Sequence, residues 1–395
     1  MRRLGALAAN LAKNRRRWEN AQVSPRKAVA TSDRLAEVVD FGSNPGNLRM
    51  FTYLPEVRQR SSALVVVLHG CGQTAAEYDY GAGWSTLADR YGFALLLPEQ
   101  QPANNAQTCF SWFRPADTTR GRGEGFSIRQ MVERMVRAHG IDRSRVFVTG
   151  LSAGGAMASA MLAAYPEVFS GGAIIAGLPY GSARNVQEAF ESMFNGRTRS
   201  AREWGDLVRA ASPHAGPWPR VSVWHGTVDA TVAPMNAKEI VKQWTDVHGL
   251  PPSPSENDQV DGYPRQVWRG PSGEALVEEY TITGMAHGTP LAPHAPSDPH
   301  GAVGPFLLDV GIASSYHIAK FWGLTTGADR RRPARPRAGP DEGWPTAKPA
   351  HPSTAEPQPG TGLQEGPQAS GSSRSAFDIR SIIAKALRSV GLLGQ

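Results

Sequence analysis

The segment of this chain whose residues point most directly to chemistry is GLSAG, residues 150–154. An apolar stretch, 145–149, precedes it as a strand would, and an alanine-rich stretch, 153–164, follows it as a helix would. When a G-x-S-x-G segment connects a strand to a helix, its two glycines allow a tight turn that points the serine hydroxyl outward. The spacing therefore predicts Ser152 as a nucleophile, the alternative being an ordinary structural turn.

A serine nucleophile needs a histidine base and a carboxylate that orients it, and after this motif they follow in the order acid, then histidine. Asp229 comes after a predicted strand at 220–225, and His287 comes after one at 275–282. Both then lie on loops at the carboxyl edge of a parallel sheet, where such folds assemble their sites. We therefore expect Asp229 to be the acid and His287 the base.

Other residues compete for these two roles. Asp246 is a weaker acid because it falls on a predicted helix, and Asp229 itself has the alternative of a turn residue capping the helix 234–247. Three histidines beyond His287 also follow the acid in order: His294, His300 and His317. The first two lie in a proline-rich loop and the third on a predicted helix, so His287 is preferred.

Acyl transfer places negative charge on the carbonyl oxygen, and two backbone N–H groups usually stabilise it. The N–H of Ala153, next to the serine, is one expected donor. The second is expected from the loop 68–73, LHGCGQ, where glycines let the backbone approach a substrate, with Cys71 N–H as the donor. The alternative for Cys71 is a small buried apolar side chain.

Most aromatic side chains in predicted loops or at element starts are expected to pack in the core or at its rim. Trp112, Trp204 and Trp218 are the residues we predict to contact an apolar substrate. The glycine-rich segment 121–125 resembles a phosphate loop only superficially, and we interpret it as a flexible loop. No metal-binding motif is present, so neither a metal nor another cofactor is expected.

Strand-like and helix-like stretches alternate through the middle of the chain, a rhythm typical of a mostly parallel sheet covered on both faces. We predict strands at 47–53, 63–68, 93–97, 145–149, 172–176, 220–225 and 275–282. We predict helices at 83–91, 127–138, 153–164, 185–195, 234–247 and 314–322. The chain is thus one doubly wound α/β domain, with an excursion or partial cap over 177–220, where the connection is too long for a plain crossover.

The length of 395 residues suffices for one core with appendages, and 40% of the residues are hydrophobic. The net charge of +7 resides at the ends: residues 1–30 carry +7 and residues 325–395 carry +4, leaving −4 for 31–324. A nucleic-acid groove in the core is therefore disfavoured. No apolar run approaches the roughly 18 residues of a membrane span, so no transmembrane segment is expected.

The domain boundaries follow from changes in composition. Residues 1–34 form a basic N-terminal segment, and 35–324 form the catalytic domain. Residues 325–375 are rich in Pro and Gly and predict a disordered linker, and 376–393 predict an amphipathic helix. The terminal segments are candidates for adsorption to an apolar or anionic surface.

Seven segments, taken in order, resemble the esterase family of poly(3-hydroxybutyrate) (PHB) depolymerases, whose relatives include feruloyl and acetylxylan esterases. They are LHGCGQTA (68–75), GWSTLADRYGFALLLPEQ (83–100), NN followed by CFSWF (104–113), VFVTGLSAGGAM (146–157), IIAGLPYG (174–181), HGTVDATVAP (225–234) and GMAHGTPL (284–291). The resemblance covers about residues 45–324. It implies an α/β-hydrolase fold and a triad that falls on Ser152, Asp229 and His287, with Cys71 in the oxyanion loop.

The chain has only two cysteines, so its composition leaves one disulfide or two free thiols open. The family resemblance implies a bond between Cys71 and Cys109, as in secreted relatives. It also implies an extracellular protein, whereas residues 1–27 show no clear export signal and are compatible with the cytoplasm, so the compartment stays open.

The sequence predicts a serine esterase that cleaves hydroxyalkanoate polyester or its oligomers. One alternative is a feruloyl or acetylxylan esterase, which uses the same machinery on another alcohol. A non-catalytic protein that binds granule surfaces is the alternative from a different class, and a peptidase is also compatible with a serine triad.

Overall fold

The computed structural model describes residues 34–57, 62–294 and 301–325. The predicted terminal segments 1–34, 325–375 and 376–393 lie outside the described residues, except for residues 34 and 325. None of the helices within the described ranges combines the length and apolar character that a bilayer crossing requires.

Ten strands of the described residues form one sheet. In chain order they are β1 (Ala36–Glu37), β2 (Arg49–Tyr53), β3 (Ser62–Leu68), β4 (Ala94–Glu99), β5 (Ile141–Leu151), β6 (Gly171–Ile175), β7 (Arg220–Gly226), β8 (Glu256–Val260), β9 (Tyr263–Arg269) and β10 (Ala275–Ile282). Across the sheet their order is β1-β2-β4-β3-β5-β6-β7-β10-β9-β8. The six central strands are parallel, and two antiparallel strands flank them on each side.

Nine helices lie in the described ranges. They are α1 (Ala75–Ala82), α2 (Trp84–Tyr91), α3 (Pro115–Thr118), α4 (Gly123–His139), α5 (Ala153–Ala164), α6 (Val186–Asn195), α7 (Ala201–Arg209), α8 (Met235–Val247) and α9 (Ser314–Phe321). Two short strands, β11 (Thr289–Leu291) and β12 (Leu307–Asp309), form a separate parallel pair.

The sheet is buried on both faces because its central strands are apolar on both faces. In β3, Leu64 and Val66 pack into the cluster that contains residues of α4, α5 and α8. The neighbours Val65 and Val67 point the other way, into the cluster that contains residues of α1, α2 and α9. The predicted doubly wound α/β architecture is confirmed.

Most predicted elements are present, and the differences have physical causes. The edge hairpin of β8 and β9 was not predicted, because β8 reads ENDQV and a half-exposed edge strand lacks an apolar run. The predicted excursion at 177–220 contains α6 and α7. The interpretation of 121–125 as a flexible loop was wrong: α4 begins at Gly123, and Glu124 in its first turn is only 2% exposed.

Candidate active site

Ser152 occupies a strained turn between β5 and α5. Its backbone has φ 58° and ψ −117°, a conformation that few residues other than glycine adopt, and its side chain is partly exposed. Its N–H donates to the carbonyl of Ile175, at the end of the neighbouring β6, over 2.9 Å. The backbone therefore holds the hydroxyl at the carboxyl edge of the sheet.

The glycines on either side of Ser152 are required by space. A Cβ at Gly150 would lie 2.4 Å from the carbonyl of Gly154, and a Cβ at Gly154 would lie 2.3 Å from the carbonyl oxygen of Leu68. The first turn of α5 thus packs directly on the end of β3. This contact joins the serine turn to the loop that follows β3.

Asp229 and His287 are hydrogen-bonded, with His287 Nδ1 donating to Asp229 Oδ2 over 2.7 Å. They follow β7 and β10, which are adjacent parallel strands, so their loops meet at the edge where Ser152 lies. Both residues are buried, at 5% and 8% exposed. Since Nδ1 is occupied, Nε2 is the nitrogen of His287 that remains for proton transfer.

The two loops also bond to each other through their backbones. Thr227 N–H donates to the carbonyl of Ile282 over 3.1 Å, and Val228 N–H donates to the carbonyl of Met285 over 3.1 Å. In return, Gly284 N–H donates to the Thr227 hydroxyl over 2.9 Å. These bonds set the distance between the acid and the histidine independently of their side chains.

Four donors surround the Asp229 carboxylate. Oδ1 accepts the N–H groups of Thr231 and Val232, each at 2.9 Å, and Oδ2 receives His287 and, at 3.3 Å, His225 Nε2. Burial favours the neutral acid, but His287 and His225 outweigh it and hold the pKa of Asp229 well below its usual range. The carboxylate is therefore ionised wherever the histidine must act as a base.

His225 is a site residue that the sequence reasoning set aside because it precedes the acid. It is buried, and its Nε2–H also donates to the carbonyl of Val232 over 2.8 Å. A carbonyl oxygen can only accept, so Nε2 carries the proton and points it toward Asp229 as well. The available signal was its position four residues before Asp229, at the end of β7.

The loop after β3 is held by side chains that fold back on it. Gln73 Oε1 accepts Gly70 N–H over 2.9 Å, and His69 donates from Nδ1 to the carbonyl of Gly70 over 2.8 Å. His69 Nε2 accepts Gln100 N–H over 3.1 Å, so the ring is neutral. Complete burial lowers the pKa of His69 to about 4, which keeps it neutral at physiological pH.

Cys71 and Cys109 are joined by a disulfide, with their Cα atoms 4.3 Å apart. Next to it, Gly72 N–H donates to the carbonyl of Gln107 over 2.8 Å. Together these links tie the loop after β3 to the segment 104–113. The bonded state is one of the two that composition left open.

Glu124 also holds the segment 104–113 in place. Its carboxylate accepts Gln100 Nε2 over 2.7 Å and Ser111 N–H over 2.8 Å, and Gln100 also donates to the carbonyl of Cys109. Burial raises the pKa of Glu124 to about 7. Sequence reasoning missed this network because Glu124 lies in a segment interpreted as a flexible loop.

The two backbone N–H groups predicted to form an oxyanion hole are those of Ala153 and Cys71. Ala153 N–H is the first of α5, and the first N–H groups of a helix have no partner within it. In the part of the chain that the structure describes, Cys71 N–H has no intramolecular acceptor, unlike Gly70, Gly72 and Gln73 N–H. Both groups therefore remain for a ligand.

The three tryptophans expected to contact substrate lie in different environments. Trp204 is fully buried in α7 and donates its indole N–H to Glu239 over 2.6 Å. Trp218 lies two residues before β7, at the amino edge of the sheet, whereas Asp229 lies three residues after that strand. Trp112 is 9% exposed and packs edge-to-face on Phe113. Full burial contradicts the substrate role of Trp204, and those of Trp112 and Trp218 stay predictions.

The residues that were less favoured as acid or base either contact other side chains or lie elsewhere in the chain. Asp246 forms an ion pair with Arg209, and His317 is hydrogen-bonded to Asp261 over 2.8 Å. His294 is exposed in a turn after β11, and His300 lies outside the described residues. Of the three that the structure describes, none is placed against Asp229.

Comparison with known proteins gives one family and several relatives. A family model described as "Esterase PHB depolymerase" matches residues 49–254. Poly(3-hydroxyalkanoate) depolymerase C of Paucimonas lemoignei is 48% identical over 300 residues, which is 75% of this chain and 72% of that protein. An acetylxylan esterase of Coprinopsis cinerea is 37% identical over 266 residues, or 65% and 70% of the two chains.

Among solved structures, the acetyl xylan esterase from Aspergillus awamori superposes with a TM-score of 0.62. It is 26% identical, and the match covers 73% of this chain and 99% of that one. The fold described above is accordingly that of the α/β-hydrolase esterases.

Proposed function

Because the chain belongs to the esterase family of PHB depolymerases, we propose that it hydrolyses hydroxyalkanoate ester bonds through Ser152, His287 and Asp229. The observation that supports this most is the 2.7 Å hydrogen bond from His287 to a buried, ionised Asp229, at the sheet edge where the strained Ser152 turn lies. A histidine held in this tautomer presents an unprotonated Nε2 to a nucleophile.

The reaction proceeds in two halves. His287 Nε2 takes the Ser152 hydroxyl proton as Oγ attacks the ester carbonyl, and the tetrahedral intermediate collapses when the carbon–oxygen bond to the alcohol breaks. The proton on Nε2 passes to the departing alcohol oxygen, leaving an acyl-serine. Water then attacks that ester, its proton goes to Nε2, and the same proton returns to Ser152 as the acid leaves.

The oxyanion of each intermediate is held by the N–H groups of Cys71 and Ala153. The disulfide and the Gln73 contact keep the first of these in place, and the packing of Gly154 on Leu68 relates it to the second. Donors that are already oriented cost little reorganisation when the charge forms, and each is worth about 3 kcal/mol.

The choice of a hydroxyalkanoate ester follows from the relative with the highest identity given above, whose name states that substrate. An esterase acting on acetylated xylan is the second candidate, supported by the relative at 37% identity and by the solved structure. The triad chemistry is the same for both, so the alcohol portion of the substrate distinguishes them.

Hydrolysis of p-nitrophenyl butyrate, a PHB suspension, methyl ferulate and acetylated xylan, measured in parallel, tests the proposal. We expect the wild type to clear the polymer and Ser152→Ala to be inactive on every substrate. Ser170→Ala, just before β6 at the amino edge of the sheet, is the control. Cleavage of the xylan or ferulate ester alone would instead support an acetylxylan or feruloyl esterase. A wild type as inert as Ser152→Ala would support a non-catalytic binding protein.

We further propose that the terminal segments adsorb to the polymer. This rests on their sequence alone: a basic segment at 1–34 and an amphipathic pattern at 376–393. Removing residues 325–395 should lower activity on granules and leave hydrolysis of p-nitrophenyl butyrate unchanged. An equal loss on both substrates would contradict adsorption.

A further inference from the structure

Phe306 is held in an unfavourable backbone conformation. Gly304 and Leu307 exchange two backbone hydrogen bonds, Leu307 N–H to Gly304 at 3.0 Å and Gly304 N–H to Leu307 at 3.2 Å. Pro305 and Phe306 form the tight turn between them, and Phe306 has φ 61°. Glycine or asparagine is favoured at such a position, and a bulky residue there is an outlier. Residues strained in this way cluster at active sites and ligand-binding segments.

One side of this turn contacts the histidine loop. The Phe306 ring lies 6.0 Å from the His287 ring, edge-on at 68°. The carbonyl of Phe306 accepts Thr289 N–H over 2.8 Å, two residues beyond His287. A Cβ at Gly288 would lie 2.8 Å from that same oxygen, so the two backbones are in direct contact.

The other side of the turn contacts the loop after β3. Gln73 Nε2 donates to the carbonyl of Pro305 over 3.3 Å, while Gln73 Oε1 accepts Gly70 N–H. The turn is thus linked to the loop of the proposed oxyanion donor and to the proposed base. Phe306 is partly exposed and is not enclosed in the core.

We infer that Phe306 lines the subsite for the alcohol portion of the ester and selects an aliphatic hydroxyacid there. The inference rests on the proposed function, in which His287 gives its proton to the departing alcohol oxygen. A group beside His287 therefore lies on the alcohol side of the scissile bond. An aromatic ring favours the methyl and methylene groups of a hydroxyalkanoate over the hydroxyl groups of a sugar.

Two esters with the same acyl group and different alcohols test this inference. In methyl 3-hydroxybutyrate the alcohol is methanol, and in the linear 3-hydroxybutyrate dimer it is a second hydroxyacid. For Phe306→Ala we expect kcat/KM to fall at least tenfold on the dimer and less than twofold on the methyl ester. Phe306→Gly should show the same selectivity change and remain folded, because glycine adopts the backbone conformation of this turn.

Phe321→Ala is the matched control. Phe321 is also a partly buried phenylalanine of the same apolar cluster, but its carbonyl accepts Arg220, the first residue of β7, at the amino edge. Its ratio of the two kcat/KM values should equal that of the wild type.

The outcomes separate the inference from the proposed function. Equal losses of kcat/KM on both esters would mean that Phe306 only supports His287. An unchanged kcat/KM on the dimer would mean that Phe306 does not contact the alcohol. Either result overturns the inference and leaves the proposed function intact. A wild type that cleaves acetate esters but neither hydroxybutyrate ester overturns the proposed substrate. In that case kcat/KM is measured on methyl acetate and on acetylated xylose. If the ratio of the two values in Phe306→Ala equals that of the wild type, the inference is overturned as well. A wild type inert on every ester overturns both.

Discussion

Nε2 of His225 lies 3.3 Å from Oδ2 of Asp229, the same oxygen that accepts the His287 hydrogen bond. Two imidazoles therefore converge on one carboxylate oxygen in a buried site. One of them is proposed to transfer protons, and the other keeps the carboxylate ionised and in place. We therefore propose that His225 is a positioning residue for Asp229.

Replacing His225 by Phe should lower kcat by about ten- to a hundredfold with little change in KM. The substitution removes a donor from a buried carboxylate, which costs about 1–3 kcal/mol. His225→Gln retains an N–H near the position of Nε2 and should recover most of the activity. Steady-state kinetics on p-nitrophenyl butyrate check this, and a kcat for Phe equal to that of the wild type would contradict it.

Gly154→Ala should abolish activity, because its Cβ would meet the Leu68 carbonyl oxygen at 2.3 Å and separate the serine turn from the loop after β3. Gly249→Ala is the control: this glycine has φ +66° but nothing within 4 Å of the added atom. It should cost only about 1 kcal/mol of stability, from backbone strain, and leave kcat unchanged. Chemical unfolding and initial rates of both variants show whether activity depends on the close contact at Gly154 or is lost on any replacement of a glycine.

Reduction of the Cys71–Cys109 disulfide should lower both the unfolding temperature and esterase activity. Closing a loop with a sequence separation of 38 is worth up to about 4 kcal/mol in the chain-entropy account. Activity should fall as well because Cys71 carries a proposed oxyanion donor. Cys71→Ser/Cys109→Ser serves as the control, since its unfolding temperature should not respond to dithiothreitol; an equal response in both proteins would refute the prediction.

Glu124 should make stability depend on pH between about 4.5 and about 7. Burial raises its pKa from 4.5 to about 7, so in that window the folded protein keeps a proton that the unfolded chain has released. Stability contributed by this group is present below pH 4.5 and is lost as the pH rises through 7, a difference of about 3 kcal/mol.

Glu124→Gln isolates this effect, because the other buried acids are the same in both proteins. The free energy of unfolding of the wild type minus that of Glu124→Gln should decrease as the pH rises across the window. A difference that is flat, or that increases with pH, would show that Glu124 is ionised throughout.

The sequence alone determined the order of the elements and the position of Ser152, Asp229 and His287 among them. This follows from local rules: an apolar run predicts a buried strand, and a G-x-S-x-G segment between strand and helix makes a tight turn. Because parallel strands end at the same edge, residues that follow β5, β7 and β10 are brought to one place without any knowledge of side-chain contacts.

Only the tertiary structure decided which side chains complete the site. Trp204 and Phe306 are both aromatic residues near element boundaries, yet one is fully buried against Glu239 and the other lies beside His287. Glu124 holds Gln100 and Ser111, although its own segment was interpreted as a flexible loop. His225 contacts Asp229, although its position before the acid in the sequence had excluded it. Hydrophobic periodicity reports whether a residue is buried, but its partners depend on how distant loops pack against one another, and no local pattern encodes that distance.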